Sequence, residues 1–319
     1  MPYSPCPVCE SKSRLTRDLP VDVIREKLEA YYNKPLPSET DIISYKVLKC
    51  EKCALEYAIP QVQGSDSFYK WITAKHNYYP ESRWEWLTLI KLIGSSSKNN
   101  TRLLEVGCGS GKFLEQIKKM SGVEAIGIDT SPTSVDECAS KNLETYCQTI
   151  DTFAADQIHA GKRFDYIVAF HCLEHIDNPK DFLTSLAQLL KPDGSIFLST
   201  PYSPMSFETI WFDPLNYPPH HMTRWNKASY EELAARLRLT IEIFMPKAEN
   251  AVKRTLRTLN LTWHGPASLV SDSQIFLEAL MRFPAAFHEL MRQNEREKIN
   301  KHVAADVILV KLTAEKRYA

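Results

Sequence analysis

The stretch Leu103-Leu-Glu-Val-Gly-Cys-Gly-Ser-Gly-Lys112 decides the fold. A short apolar run leads into three closely spaced glycines, and an amphipathic stretch begins directly after them. Glycines let the backbone turn sharply and let a ligand approach without a Cβ atom in the way. A strand, a glycine loop and a helix in this order predict the first unit of a nucleotide-binding α/β fold.

Two acidic residues frame this loop. Glu105 lies two residues before the first glycine, and Asp129 ends the next apolar run. A carboxylate at the tip of a second strand can accept two charge-assisted hydrogen bonds from a ribose diol. The position of Asp129 therefore strengthens the nucleotide-site prediction, which glycines alone would support only weakly.

The sequence on either side of the loop alternates between short apolar runs and amphipathic stretches. Strands are predicted at 102–106, 124–128, 144–148, 164–170 and 195–200, and helices at 112–120, 132–141 and 180–190. Such alternation indicates a parallel sheet with helices on both faces.

The flanking segments are less regular. A helix at 21–33, a strand at 43–49 and a helical stretch at 69–93 are predicted upstream, and a helix at 227–237 and strands at 240–244 and 305–312 downstream. Residues 250–300 are polar and helical. The last two strands are therefore expected to form a hairpin whose loop has expanded into a lid or an interface.

The glycine loop, its two acids and the order of the later elements resemble the class I S-adenosylmethionine-dependent methyltransferases. The resemblance covers residues 102–245, and the strand at 305–312 completes the family's seven-strand order. It implies a doubly wound, mostly parallel, seven-stranded α/β sheet. A dinucleotide-binding dehydrogenase is the rival interpretation, but that class prefers G-x-G-x-x-G, and nothing here supplies a second nucleotide-binding half.

The resemblance also implies which residues hold S-adenosylmethionine. The loop would bind the methionine part and Asp129 the ribose, while Asp151 would face the adenine amine unless it is an ordinary helix N-cap. Cys108 fits the turn because it is small. The predicted cofactor-binding residues are Glu105, Gly107, Cys108, Gly109, Gly111, Asp129, Asp151 and His171.

Four of the eight cysteines form two C-x-x-C pairs near the N-terminus. The ligand set is Cys6, Cys9, Cys50 and Cys53. Four thiolates in two tight turns predict a closed, structural Zn²⁺ site with no catalytic role. The 40-residue spacer is longer than that of common zinc ribbons, and the helix at 21–33 accounts for the excess. A redox pair and four free thiols are the alternatives.

The order of the segments predicts four regions. They are a zinc-binding module at 1–63, a methyltransferase core at 64–249, a helical insertion at 250–302 and a closing strand at 303–319. A zinc module before a class I core resembles some sugar methyltransferases of bacterial polysaccharide pathways, and also some ribosomal RNA methyltransferases. The first 60 residues carry nine basic and nine acidic side chains, a balance that favours a sugar acceptor over RNA.

Two histidine clusters are predicted at the carboxyl edge of the sheet. The first, His171-Cys-Leu-Glu-His175, resembles the E-x-x-E-H loop of quinone-biosynthesis O-methyltransferases, where the acids and the histidine can hold a divalent ion. Here His171 replaces the first acid, and the alternative is that Glu174 and His175 only hydrogen-bond the loop in place.

The second cluster, Asn216-Tyr-Pro-Pro-His-His-Met-Thr-Arg-Trp225, resembles the region of sugar methyltransferases that supplies a tyrosine and a histidine beside the substrate. An imidazole can remove the proton from a hydroxyl as the methyl group arrives. Arg224 would pair with a substrate phosphate or with a neighbouring acid. The predicted catalytic residues are His221, the preferred base, then His220, Tyr217 and His171.

The charge balance and the absence of long apolar runs disfavour two classes of protein. The 319 residues carry 39 basic and 39 acidic side chains, and this balance disfavours a protein that binds mainly phosphates. No signal sequence and no long apolar run are visible, so a cytoplasmic protein without membrane contact is expected. A homo-oligomer could form through 250–302.

These observations predict O-methylation of a sugar or nucleotide-linked sugar. The alternatives are C-methylation of a keto-sugar, methylation of RNA with the Lys253-Arg254-Thr-Leu-Arg257 cluster as part of the contact, and a scaffold that binds S-adenosylmethionine without catalysis.

Overall fold

Two β-sheets organise the chain. The computed structural model describes residues 4–74, 78–95, 100–205, 208, 212–247, 251–264, 269–282, 284–300 and 305–314. The strands in these ranges are β1 Ser13–Leu19, β2 Tyr45–Cys50, β3 Glu56–Ile59, β4 Thr101–Val106, β5 Val123–Asp129, β6 Thr145–Cys147, β7 Phe164–Phe170, β8 Leu190–Pro201, β9 Thr223–Arg224, β10 Leu239–Phe244 and β11 Val307–Ala314.

The helices flank these strands. They are α1 Val21–Tyr32, α2 Asp66–Thr73, α3 Trp84–Ser95, α4 Lys112–Ile117, α5 Pro132–Ser140, α6 Ile150–His159, α7 Pro179–Gln188, α8 Lys227–Arg236, α9 Ala251–His264, α10 Asp272–Arg282 and α11 Pro284–Asn300. Short 3₁₀ turns lie at Ser38–Thr40, Leu173–His175 and Pro214–Asn216.

The larger sheet has the order β10-β11-β8-β7-β4-β5-β6. Strands β4 to β8 run parallel, whereas β11 is antiparallel to both β8 and β10. One face packs on α3 and α4, and the other on α6, α7 and α8. Covering both faces explains why the central strands are almost wholly apolar. The predicted doubly wound, seven-stranded fold is confirmed, including the closing hairpin.

The smaller sheet, of order β1-β2-β3-β9, joins the N-terminal module to the core. Its fourth strand, β9, comes from the segment after β8 and pairs with β3. An apolar cluster of this module takes side chains from α1, from α2 beyond residue 63, and from the Tyr217 and Met222 region. The predicted module therefore shares its core with later parts of the chain.

Two local features go beyond the prediction. The stretch 69–93 is two helices, α2 and α3, since Pro80 lies between them and disfavours helical geometry in the residue before it. Helix α6 was not predicted, because only Phe153 and Ala154 of its ten residues are fully buried and its apolar period is weak.

The segment between β10 and β11 is helical. Helices α9, α10 and α11 share an apolar cluster of their own. Arg254 of the basic sequence cluster is buried, and its Nε lies 3.3 Å from Asp306 Oδ2, so this arginine does not belong to an open basic surface. In the described ranges, no helix combines the length and apolar character needed to span a bilayer.

Candidate cofactor and histidine site

The glycine loop joins β4 to α4. Gly109 has a φ of +50°, in the left-handed region that favours glycine, and its N–H donates to Asp129 Oδ2 at 2.9 Å. The other oxygen, Oδ1, accepts from the Ser131 N–H at 2.9 Å. Burial raises the pKa of Asp129, although these N–H donors oppose the shift. The carboxylate of Asp129 is thus fixed at the sheet edge, with lone pairs left for a ligand hydroxyl.

Tyr79 covers this loop. A Cβ atom at Gly109 would lie 2.6 Å from Tyr79 Cε1, which shows how closely the ring approaches the backbone. Burial raises the pKa of Tyr79 to about 12, so its hydroxyl stays protonated at neutral pH. Tyr79 carries no motif of its own in the sequence, where it lies in an aromatic stretch predicted to be helical.

Glu105 is buried beneath the loop. Its Oε2 atom has no hydrogen-bond partner among the described residues. Burial, with Cys138 and Asp129 nearby, raises its pKa well above the usual carboxyl value. A buried carboxyl without a donor is costly unless a ligand supplies one. A buried acid with an unpaired oxygen beside a loop with three glycines fits a cationic nucleoside ligand such as S-adenosylmethionine.

Replacing Glu105 with Gln should therefore have opposite effects on two properties: it should make the folded protein more stable and make S-adenosylmethionine bind more weakly. A carboxyl whose folded pKa is raised favours the folded state below its unfolded pKa and disfavours it as pH rises through the folded pKa. At pH 8, Glu105→Gln should raise the melting temperature by about 2–4 °C for each kcal/mol of burial cost relieved. It should also weaken S-adenosylmethionine binding by about tenfold, which corresponds to one charge-assisted hydrogen bond.

Scanning calorimetry of the protein without ligand and isothermal titration calorimetry measure the two effects. Glu124→Gln is the matched control, because Glu124 lies on the neighbouring strand and is exposed. A Glu105→Gln protein that binds S-adenosylmethionine as tightly as the unmodified chain would remove Glu105 from the ligand set.

The loop after β7 touches the glycine loop. A Cβ atom at Gly107, where φ is +73°, would lie 3.1 Å from Cys172 Sγ. His171 precedes this cysteine and has a φ of +48°, which is rare for a residue with a side chain. The β7 loop therefore leads directly from the predicted cofactor site to Glu174 and His175.

His171 lies between two acids. Its Nε2 is 2.8 Å from Glu85 Oε1 on α3, and its Nδ1 is 3.3 Å from Glu174 Oε1. Burial and Arg83 lower the pKa of His171, but Glu174 and Glu85 outweigh them and raise it overall. Burial opposes ionisation of Glu85, yet His171 lowers its pKa. Glu85 was missed by sequence reasoning, because α3 carries it in from 86 residues away.

Three further histidines lie together. The rings of His220 and His221 stack with centroids 4.6 Å apart, and the His175 ring lies 4.7 Å from the first and 5.1 Å from the second. Burial, reinforced by His175, lowers the pKa of His220 well below the usual histidine value. Burial and the neighbouring histidines do the same for His221. Both imidazoles are therefore neutral at physiological pH.

The two predicted base candidates have different surroundings. His220 has hydrogen-bond partners at both ring nitrogens, the Leu215 carbonyl at 2.8 Å and the Tyr78 hydroxyl at 2.9 Å. The Nδ1 of His221 is 3.0 Å from Asn216 Oδ1. Its Nε2 has no hydrogen-bond partner among the described residues. His220 is therefore suited to holding the loop in place through its two hydrogen bonds. His221, with its Nε2 lone pair unoccupied, is better suited to accept a proton.

Glu174 and His221 line the same small cavity. Its volume is about 10 Å³, close to the space for one water molecule. Asn216, Thr223 and Arg224 also line it. The Oε1 atom of Glu174 lies 3.3 Å from His171 Nδ1, so this side chain ties the loop to His171, in part as the alternative interpretation expected. Its carboxylate oxygens have no further hydrogen-bond partner within the described residues. His175 also holds the loop, since its Nδ1 is 2.5 Å from the His220 carbonyl.

The four N-terminal cysteines converge in the buried part of the module. Their sulfur atoms all lie within 4.8 Å of one another, with Cys6–Cys53 at 3.6 Å, Cys9–Cys50 at 3.3 Å and Cys9–Cys53 at 3.7 Å. These separations exclude a disulfide bond, which requires about 2.05 Å. They match the ~3.8 Å sulfur–sulfur edge of a tetrahedron built on Zn–S bonds of about 2.3 Å. The residues therefore fit a tetrahedral metal ion.

Other predicted site residues lie elsewhere or have other partners. Tyr217 is not among the histidines, because its ring packs on Phe212 in the apolar cluster of the module. The tyrosines beside the histidines are Tyr78 and Tyr69. Arg224 pairs with acids rather than standing free, since its Nη1 lies 2.5 Å from Glu56 Oε2 and its Nη2 contacts Glu208.

Asp151 and Cys108, two predicted cofactor residues, have partners within the core. Asp151 is the second residue of α6 and accepts from the Ser185 hydroxyl at 2.7 Å, while Thr149 caps the helix, so the N-cap interpretation of Asp151 is wrong. Cys108 is buried against Cys138, which agrees with a role for its small size. Cys147 is exposed.

The chain is similar in sequence to known methyltransferases. A family model described as a methyltransferase domain matches residues 79–242, slightly more than half of the chain. The chain is 36% identical over 102 residues to a ubiquinone biosynthesis O-methyltransferase of Cereibacter sphaeroides. This match covers 31% of this chain and 40% of that protein. It is 29% identical over 112 residues to a mitochondrial ubiquinone biosynthesis O-methyltransferase of Dictyostelium discoideum. That match covers 31% of this chain and 34% of the other protein.

A structural comparison agrees on the fold. A chain in the complex between the Haloferax volcanii Trm112 methyltransferase activator and a methyltransferase superposes with a TM-score of 0.50 at 17% identity. The match covers 79% of this chain and 97% of that one. The curated relatives, by contrast, are matched over only about a third to two fifths of their length.

Proposed function

Because this chain belongs to the methyltransferase domain family, we propose that it transfers a methyl group from S-adenosylmethionine to a hydroxyl group of a small acceptor, with His221 accepting the proton. The observation that carries this proposal is the free Nε2 lone pair of His221 in a buried cluster that the β7 loop joins to the glycine loop. Methyl donor and proton acceptor would then lie at one edge of the sheet.

The chain's own residues divide the work. Glu105, Asp129 and the backbone of the glycine loop would hold the cofactor, and Tyr79 would cover it. When bound, S-adenosylmethionine would supply an electrophilic methyl group to the acceptor oxygen and would leave as S-adenosylhomocysteine. His221 takes the proton from that oxygen and becomes an imidazolium, which the buried Glu174 carboxylate can stabilise. Positioning and proton removal supply the rate enhancement.

The acceptor we propose is a sugar or nucleotide-linked sugar. Its support is the polar histidine cluster together with an N-terminal cysteine module that resembles those of sugar methyltransferases. The relatives named for ubiquinone biosynthesis favour a second candidate, a quinone precursor with a phenolic hydroxyl. Both acceptors present a hydroxyl to the same base, so the two candidates differ in the acceptor and share the reaction.

The cysteine module is proposed to bind one structural Zn²⁺. Four buried sulfur atoms at tetrahedral spacing support this assignment. Four protein ligands leave no open coordination position, so the ion would stabilise the module without entering the reaction. The burial and pairing of Arg254 weaken the RNA alternative, which depended on the basic cluster around it.

A transfer assay tests the proposed function. Purified protein, S-adenosylmethionine with a labelled methyl group, and separate panels of nucleotide sugars and dihydroxybenzoates should yield label on one acceptor class, attached to oxygen by NMR. Label on carbon would support the keto-sugar alternative. Calorimetry that detects neither S-adenosylmethionine nor S-adenosylhomocysteine would overturn the proposal, and cofactor binding without transfer to either panel would favour the scaffold alternative.

A further inference from the structure

The ring nitrogens of His175, His220 and His221 converge. One nitrogen from each ring lies within 4.8 Å of the other two. The residues come from two segments, the turn after β7 and the loop before β9, so the tertiary fold brings them together. Convergence of three imidazoles is the geometry of a metal site with an open position.

Each ring is oriented by an acceptor at Nδ1. The partners are the His220 carbonyl for His175 at 2.5 Å, the Leu215 carbonyl for His220 at 2.8 Å and Asn216 Oδ1 for His221 at 3.0 Å. A carbonyl oxygen cannot donate, so each Nδ1 carries the hydrogen and each Nε2 has its lone pair free of hydrogen. In His220 this lone pair accepts from the Tyr78 hydroxyl, which must turn away when an ion binds. Metal-binding histidines show this same arrangement, with the second nitrogen donating to an oxygen.

From this geometry we propose that His175, His220 and His221 bind one divalent transition-metal ion of the zinc class through their Nε2 atoms, at a site separate from the four cysteines. Imidazole nitrogens suit Zn²⁺, Co²⁺ or Ni²⁺, whereas Mg²⁺ and Ca²⁺ prefer oxygen ligands. The Tyr78 oxygen, 2.9 Å from His220 Nε2, lies beside the expected ion.

Binding requires a small rearrangement. Zn–N bonds of about 2.0–2.1 Å in a tetrahedron place the nitrogens about 3.4 Å apart. One nitrogen of each ring already lies within 4.8 Å of the other two, and the rings must turn to bring the three Nε2 atoms to this spacing. The nearby Glu174 carboxylate is buried, with His171 Nδ1 3.3 Å from its Oε1 atom, and its negative charge favours a cation.

The inference concerns the same histidines as the proposed function but does not depend on methyl transfer. An ion here would occupy the lone pair that the proposed function assigns to proton removal. It would instead lower the pKa of a hydroxyl bound at its open position, which also produces an acceptor oxyanion. The test therefore measures metal rather than activity.

Metal content of the full-length protein tests the site. The unmodified chain and its variants are dialysed against Zn²⁺ and passed over a weak chelating resin. The number of zinc ions per chain is then measured by inductively coupled plasma mass spectrometry. His221→Ala and His175→Ala should each hold one ion fewer than the unmodified chain. The control His159→Ala should lose none, because His159 is exposed on α6.

A second variant keeps all three ligands. Asn216→Ala removes the acceptor of His221 Nδ1 and should weaken Zn²⁺ binding at this site by about 10–100-fold in a competition titration with a chelator. Circular dichroism verifies that each variant is folded. Equal metal content in the unmodified chain and both folded histidine variants would overturn the proposal, even if methyl transfer is observed.

Discussion

Replacing His221 with Ala is expected to lower kcat for methyl transfer by about 10²–10⁴-fold, the usual contribution of a positioned acid or base. The affinity for S-adenosylmethionine should change by less than about twofold, because His221 lies in the loop before β9 and the glycine loop follows β4. A rate loss without a binding loss identifies an interaction made in the transition state. Single-turnover kinetics with the acceptor found in the transfer assay, together with calorimetry, measure the two quantities.

His159→Ala is the matched control and should retain the rate of the unmodified chain. His220→Ala should behave differently from His221→Ala: it removes a buried ring that has partners at both nitrogens, so it should lower the melting temperature more strongly. If His221→Ala keeps the full rate while His220→Ala is folded and inactive, the base has been assigned to the wrong neighbour.

The sequence predicted the large sheet because its information is local. The strand, the glycine loop and the start of the helix can be recognised within ten consecutive residues. The later strands are recognisable as apolar runs between amphipathic helices. The resemblance supplied the strand order. Asp129 and Glu105 could be singled out for the same reason, since each stands at a fixed place beside the loop.

The rest of the site depends on contacts between distant segments. Glu85 reaches His171 from α3, and Tyr78 reaches His220 across 142 residues, with no sequence period connecting either pair. Tyr217 was chosen as the catalytic tyrosine because it lies next to the histidines in sequence. Its backbone carbonyl accepts from the N–H groups of His220 and His221, a tight turn that directs its ring into the module. Sequence proximity was misleading here.

The join between the module and the core was equally hidden. Strand β9 has two residues, too few to give a strand signal, yet it completes the small sheet. The Ala58 N–H donates to the Met222 carbonyl at 2.8 Å, and Asn226 Nδ2 donates to the Ala54 carbonyl at 2.9 Å. The segment that carries His220 and His221 is thus held from one side by the cysteine module.

Replacing both Cys50 and Cys53 with Ser is therefore expected to abolish metal binding at the module and to lower methyl transfer by at least about 100-fold. A structural zinc ion contributes about 10–16 kcal/mol to small domains, whereas a core of this size rarely provides more than about 3–5 kcal/mol alone. Without the ion the small sheet should open, and β9 would lose its partner β3.

The effect should be unequal across the molecule. Arg224 would lose Glu56, and the loop with His220 and His221 would lose its support, while the glycine loop between β4 and α4 depends on the larger sheet. Binding of S-adenosylmethionine should accordingly fall only a fewfold, and limited proteolysis should cut first within the first 60 residues. Cys147→Ser is the control, since that thiol is exposed and lies on β6. A double variant that transfers methyl groups at the full rate would show that the module does not support the histidines. If the double variant loses S-adenosylmethionine binding together with activity, the module and the core unfold as one unit.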